Sequence, residues 1–246
     1  MRRWFWVAAI CLPAQAHAQT PMTPMTLEKP DVHIGDTWSY RQTDGFTDEV
    51  TAEFSRRVTG LSDTEITSQQ EMKDGKNKRM IWFDRNWNLI DNGNGQYAPS
   101  LDLIDFPLHA GDTWKHQYKG VILKTGARFV CYVTGKFIGS ESVTVPAGTF
   151  EAGRIETNVE CRAEDANATV TRFRNIDWWT PGVNRPVRAE ESVIANGRVR
   201  RKSVVELVDY ARAKLDEHDT GPSAPSDAQP SAPPESSDSA QSPAKP

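Results

Sequence analysis

Polar and apolar residues alternate with a period of two through most of the chain. Val50, Ala52, Phe54 and Val58 fall on one side of an extended run, and Thr51, Glu53, Ser55 and Arg57 fall on the other. This is the signature of a sheet with one wet face. The same alternation places Cys131 beside Phe129 and Val133 in "RFVCYVTGKF", and Cys161 beside Ile155 and Val159 in "GRIETNVECR". Turn chemistry punctuates these runs: "KDGKNK" at 73–78, "DRNW" before "NLID", and "VTVPAGTF" around Pro146. Asn196-Gly197, inside "VIANGRVRRKSVVELV", is the strongest hairpin signal and sets Glu191 opposite Lys202. Only "DYARAKLDEH" at 209–218 reads as a helix. The pattern predicts an all-β fold, an antiparallel curved sheet forming an open barrel or sandwich, with a short C-terminal helix.

A repeat runs through this pattern. "VHIGDTW" at 32–38 returns 76 positions later as "LHAGDTW" at 108–114, and "FSRRVTG" (54–60) is followed in the same way by "FVCYVTG" (129–135). Two matched blocks in one order predict two related halves, about 30–106 and 107–210, with Trp38 and Trp114 as equivalent core anchors. Gly-Asp is turn chemistry and Thr-Trp opens a strand, so the repeat is read as a fold element. Paired chemical sites at His33/Asp36 and His109/Asp112 are disfavoured, because neither copy is joined to a nucleophile.

The ends of the chain differ in composition from its middle. Residues 1–18 have two arginines, a short apolar run and an Ala-x-Ala cleavage site, and are read as a secretory signal peptide; the apolar run is too short to span a membrane. Their removal shifts the formal charge from −4 to −6, with 27 basic against 33 acidic residues, which disfavours nucleic acid as a partner. Residues 19–29 read as a linker and 30–217 as one β domain. Residues 218–246 read as a disordered tail, since 221–246 hold seven Pro and seven Ser in 26 positions with no aromatic or branched aliphatic residue. Export places Cys131 and Cys161 where disulfides persist. A hairpin centred on residue 146 would set them opposite each other, so they are expected to form a structural staple.

Candidate chemistry is sparse. No histidine pair has helical zinc spacing. "DRNWNLIDNGNG" fails as a calcium loop, with Leu89 where Gly is needed and Gly95 where the bidentate Glu belongs; no Gly-x-Ser-x-Gly elbow occurs. Neither a catalytic residue nor a metal or cofactor is therefore assigned. The six tryptophans after residue 18 are more than one small β core needs. Alternation sends the adjacent Trp178 and Trp179 to opposite faces, one buried and one lining a surface or groove, and Trp178, Trp179 and Trp82 are the candidate ligand-binding residues.

"FPLHAGDTW", "VTVPAGTFEAGRIE" and "WWTPGVNRPVRAE" together resemble a Pro-Leu-x-x-Gly-x-x-Trp, Val-Pro-Ala-Gly-x-Phe and Trp-Trp-x-Pro-x-Val pattern of bacterial exported domains of unknown function, TapB-like proteins among them. The match spans about residues 106–191, with a weaker echo at 30–60; Asn184 departs from the usual Gly, and the first half lacks its own Val-Pro-Ala-Gly. The resemblance implies a periplasmic curved sheet or half-barrel and carries no catalytic residues. The expected function is a non-catalytic periplasmic β domain that binds an apolar or amphiphilic ligand, with a lipid, a glycan or an envelope protein as the expected class of partner. The alternatives are an assembly protein without a small ligand, and a hydrolase in which His109 or His116 meets a carboxylate.

Overall fold

The computed structural model describes residues 25–164 and 170–213, which form one compact unit. Its strands are β1 (Thr26–Leu27), β2 (Thr37–Asp44), β3 (Val50–Leu61), β4 (Glu65–Met72), β5 (Lys78–Asp84), β6 (Leu89–Asp91) and β7 (Gly95–Ala98). They continue as β8 (Leu108–His109), β9 (Thr113–Ile122), β10 (Ala127–Val145), β11 (Gly148–Ala163), β12 (Thr171–Thr180), β13 (Arg185–Ala195) and β14 (Arg198–Ala211). Two antiparallel meanders, β2 to β7 and β9 to β14, join through β14–β2 and β7–β9 pairing into a closed barrel. The all-β antiparallel architecture is the expected one, and the sheet goes further by closing on itself, which removes its free edges. The small ribbon of β1 with β8 stands apart from the barrel and buries Leu27 and Leu108 in the core. The stretch expected as a linker over 19–29 thus contains a strand at 26–27.

The repeated turn is a structural repeat. Gly35 and Gly111 have φ of +100° and +98°, a left-handed conformation that glycine adopts without strain. Asp36 and Asp112 each accept from the backbone N–H of the histidine three residues back, at 3.0 and 2.7 Å. Each turn is then clamped to the following strand: Val58 N–H donates to the Asp36 carbonyl, and Phe137 N–H donates to the Asp112 carbonyl, both at 2.9 Å. A bulge follows both, at Val58/Gly60 and Phe137/Gly139. The second sequence block, however, does not map onto its counterpart. Val58 corresponds by hydrogen bonding to Phe137, not to Val133, because β10 meets the turn four residues further on.

Hairpin chemistry is largely as expected, with register corrections that arise from bulges. Val145 pairs Gly148 at the tip of β10–β11, and the one-residue bulge at Phe137/Gly139 brings Cys131 opposite Cys161, where the disulfide forms. Ala195 pairs Arg198 across Asn196-Gly197, whose φ values of +52° and +70° suit a type I′ turn. A bulge at Val193/Ile194 then shifts Glu191 opposite Ser203 and Lys202 opposite Ser192, so the expected Glu191–Lys202 pair does not form. Glu191 instead meets Arg201 at 2.6 Å.

The expected helix at 209–218 is corrected over its described part. Asp209, Tyr210 and Ala211 are strand, paired with Ser39, Trp38 and Thr37. Residues 214–218 of that expectation lie outside the described residues, as do the signal peptide, most of the linker and the tail. Local helix propensity loses at 209–211 because β14 there supplies the backbone partners of the first residues of β2.

Candidate functional site

The up-and-down connectivity gives the barrel two unlike ends. At the end carrying the turns 34–36, 85–88 and 181–184, Trp38 is 0% exposed and donates through Nε1 to the Val183 carbonyl at 2.8 Å. Trp87, held at a φ of +63°, meets Trp38 and Phe83 edge-on at 5.6 and 5.1 Å. Apolar packing of Trp38, Phe83, Trp87, Val183, Val187 and Leu207 fills this end. Above it, toward the turns 45–49, 73–77, 92–94, 123–126 and 196–197, lies an open cavity of about 670 Å³. That volume is within the ordinary range for small-ligand sites, about 300–1,000 Å³. Around the same end stand exposed apolar side chains: Phe46, Val50, Ile122, Leu123 and Val199.

The cavity has two chemically different walls. Tyr97, Tyr118, Phe129, Val159, Cys161 and Phe173, from β7 and β9 to β12, make an apolar wall. Tyr97 stands edge-on to Tyr118 at 5.9 Å and to Phe129 at 6.3 Å. Gly120 is what admits these rings, since a Cβ there would lie 2.3 Å from Phe129 Cζ. Burial pushes the phenol pKa values of Tyr97 and Tyr118 up, so both stay neutral. Gln42, Arg79, Arg201 and Ser203, from β2, β5 and β14, carry the polar wall, and Asn175 and Asp177 continue β12 below Phe173.

Along the polar wall, arginines run from exposed to buried: Arg79 is exposed, Arg56 half-buried and Arg185 buried. Arg56, Gln70 and Arg79 lie directly across from one another on β3, β4 and β5, and Arg56 Nη2 donates to Gln70 Oε1 at 2.8 Å. Burial, followed by the charge of Arg185, pushes the Arg56 pKa down to about 9. Arg185 itself stacks over the Trp87 ring at 4.2 Å. Burial pushes the Asp177 carboxyl up to about 7; Arg185 opposes that shift and Glu191 adds to it. The folded-state pKa thus exceeds the ordinary aspartate value of 3.8, so folding takes up a proton between about pH 4 and 7. The associated stability is fully present below about pH 4 and is lost as pH rises through 7. Asp177→Asn is therefore expected to be more stable than the wild type by about 1–3 kcal/mol at pH 8, and closer to it at pH 4. Urea unfolding across that window checks this, and parallel stability profiles for the two proteins would place the titration elsewhere.

A loop at 99–107 completes the wall where β6 and β7 are short. Asn88 is its anchor: Nδ2 donates to the Ile104 carbonyl at 2.7 Å, and Oδ1 accepts from the N–H groups of Leu103 and Ile104 at 2.8 and 3.0 Å. Asp84, the first position of the rejected calcium loop, accepts from the Asn86 and Asn88 backbone and from Ser100 Oγ, which is structural work. On the other side, Trp114 Nε1 donates to the Leu103 carbonyl at 2.9 Å. His116 Nδ1 lies 3.0 Å from the Asp102 carbonyl and 3.1 Å from its carboxylate. His109 Nδ1 lies 3.4 Å from Asp112. Both histidines therefore meet carboxylates, yet among the described residues neither has a hydroxyl or thiol as a hydrogen-bond partner, and His116 serves as a tether of the loop.

The three candidate tryptophans do not converge. Trp179 is 5% exposed and packs edge-on against Phe106 at 5.2 Å in the core. Trp178 is 7% exposed on the outer side, with its Nε1 donating to Glu141 at 2.5 Å between the guanidiniums of Arg154 and Arg188. They lie on opposite faces, as the alternation requires, yet both are buried, because surrounding ion pairs cover the outer one. Trp82 is half-buried on the face of β5 opposite Ile81 and Phe83. None of the three lines the cavity. The cavity aromatics were outside the sequence-based choice, although the Phe129–Cys131–Val133 and Val159–Cys161 alternation marked their strands.

No family model matches the chain, and no curated protein matches it. Solved structures do. A candidate lipoprotein from Parabacteroides distasonis ATCC 8503 is 15% identical with a TM-score of 0.47, over 75% of this chain and 98% of that one. A candidate exported protein with YmcC-like fold from Bacteroides fragilis NCTC 9343 is 12% identical with a TM-score of 0.48, over 75% and 99%. The hypothetical lipoprotein YmcC from Escherichia coli K12 is 11% identical with a TM-score of 0.42, over 74% and 86%. None of these descriptions mentions a TapB-like protein. Likeness at this level transfers no residue role.

Proposed function

We propose that this is an exported, non-catalytic binding domain whose barrel holds an amphiphilic ligand. The observation that carries the reading is the cavity of about 670 Å³ with an aromatic wall facing a polar one. Such a surface pairs a ligand's apolar body with fixed polar groups that orient it. The exposed apolar rim of Phe46, Val50, Ile122, Leu123 and Val199 supports entry of an apolar molecule from that end. Export to the periplasm is supported by the signal-like first 18 residues and by the Cys131–Cys161 disulfide. The competing assembly reading would use the sheet edge and the tail for protein contacts, and barrel closure removes the edges of the main sheet.

Native mass spectrometry of the full chain purified from periplasm, followed by organic extraction, tests the proposal. A stoichiometric amphiphile is the expected result. Phe129→Ser should then weaken rebinding of the extracted molecule by about 10- to 100-fold, the worth of one large apolar contact. A clean apo mass, together with no binding of added amphiphiles, would sink the proposal and favour the assembly role.

A further inference from the structure

The cavity lining brings Arg79 and Arg201 together with Asp177, Glu190 and Glu191, and its charges are not all paired with one another. Arg201 is matched by Glu191 at 2.6 Å, and Glu190 is held by Arg188 at 2.8 Å. Arg188 is shared with Glu206 at 3.0 Å. Arg56, Arg79 and Arg185 remain, with Asp177 as the neighbouring carboxylate, and burial already favours its neutral form. Arg79 lines the cavity and makes no hydrogen bond or ion pair among the described residues. Arg56 Nε, and Nε and Nη1 of the nine-tenths-buried Arg185, are buried donors without a partner. A buried guanidinium N–H left unmatched is costly, and an anion supplied from the cavity would relieve that cost.

We propose that the cavity selects anionic amphiphiles: a carboxylate or phosphate head binds at Arg79, next to Arg56, while the apolar body lies along Tyr97, Tyr118, Phe129 and Phe173. This deepens the binding-domain reading and rests on it. Arg79 is the exposed member of the Arg56–Gln70–Arg79 row, and it lines the same cavity as the aromatic wall. An anion there meets a guanidinium without having to break an existing ion pair. The buried Arg56 and Arg185 add positive potential from behind, where water screens it least.

Isothermal titration calorimetry of the full chain with dodecanoate, dodecanol and inorganic phosphate tests the assignment. Dodecanoate should bind about 10- to 100-fold more tightly than dodecanol, the range for a hydrogen bond to a charged group. Arg79→Gln should erase that preference by weakening dodecanoate far more than dodecanol, whereas Lys115→Gln on the outer face of β9, which removes the same charge, should preserve it. Equal binding of the two probes by the wild type, or equal weakening of both in Arg79→Gln, would overturn the anion site and leave the amphiphile reading standing. Phosphate binding as tightly as dodecanoate would overturn the apolar half and with it the amphiphile reading. Binding of no probe would overturn both.

Discussion

Trp38→Ala should cost the fold about 3–5 kcal/mol, while Trp114→Ala, at the equivalent place in the repeat, should cost about 1–2 kcal/mol. The turns that precede the two tryptophans are alike in backbone conformation and in their clamps to the next strand. What differs is the environment of the ring. Trp38 sits at the filled end of the barrel with Trp87 edge-on, Arg185 over its face and its Nε1 satisfied by Val183. Removing it leaves a cavity in close-packed surroundings and strands the Val183 carbonyl. Trp114 is only half-buried, covering Gly135 and holding the Leu103 carbonyl at one end of a surface loop. Its loss can be filled by water and by movement of that loop. Urea unfolding followed by far-ultraviolet circular dichroism measures both variants. Equal losses would mean that the two halves are energetic as well as geometric copies.

Loss of the disulfide is expected to be nearly as damaging. The Cys131→Ala/Cys161→Ala double variant should unfold with about 3–4 kcal/mol less stability, as chain entropy predicts for a sequence separation of 30 residues. The bridge joins directly paired residues of the longest hairpin in the barrel, and Cys161 lines the apolar cavity wall. The unfolded chain therefore gains the freedom that the bridge withheld, and the wall loses a cross-link where Tyr118, Val133 and Val159 pack. Wild-type protein with reductant should match the variant. A change below about 1 kcal/mol would indicate that the β10–β11 hairpin keeps its pairing in the unfolded ensemble.

The candidate site was less legible than the fold, for a reason visible at Trp178 and Trp179. Period-2 alternation assigns side chains to two faces but does not say which face becomes interior once the sheet closes, or how far each face is covered. Trp178, on the outer side, is buried by Glu141, Arg154 and Arg188, which come from three other strands. Tyr97, Tyr118, Phe129 and Phe173 come from four strands of β7 to β12, and they meet only because the wall curves.

From sequence alone, the period-2 runs settled the strands, and the Gly-Asp and Asn-Gly pairs settled the turns. Alternation put Cys131 and Cys161 on the apolar faces of adjacent strands, and the Phe137/Gly139 bulge brought them into register. These are local properties, set by side-chain alternation and by backbone conformations that few residues tolerate. Tertiary structure alone decided the closure of the barrel, strand instead of helix at 209–211, and the register of Glu191 with Ser203. It also decided that Arg79 and the aromatic side chains line one cavity. Each of these depends on partners far along the chain and on single-residue bulges, which shift every later pairing by one position and leave little mark on the local pattern of polar and apolar residues.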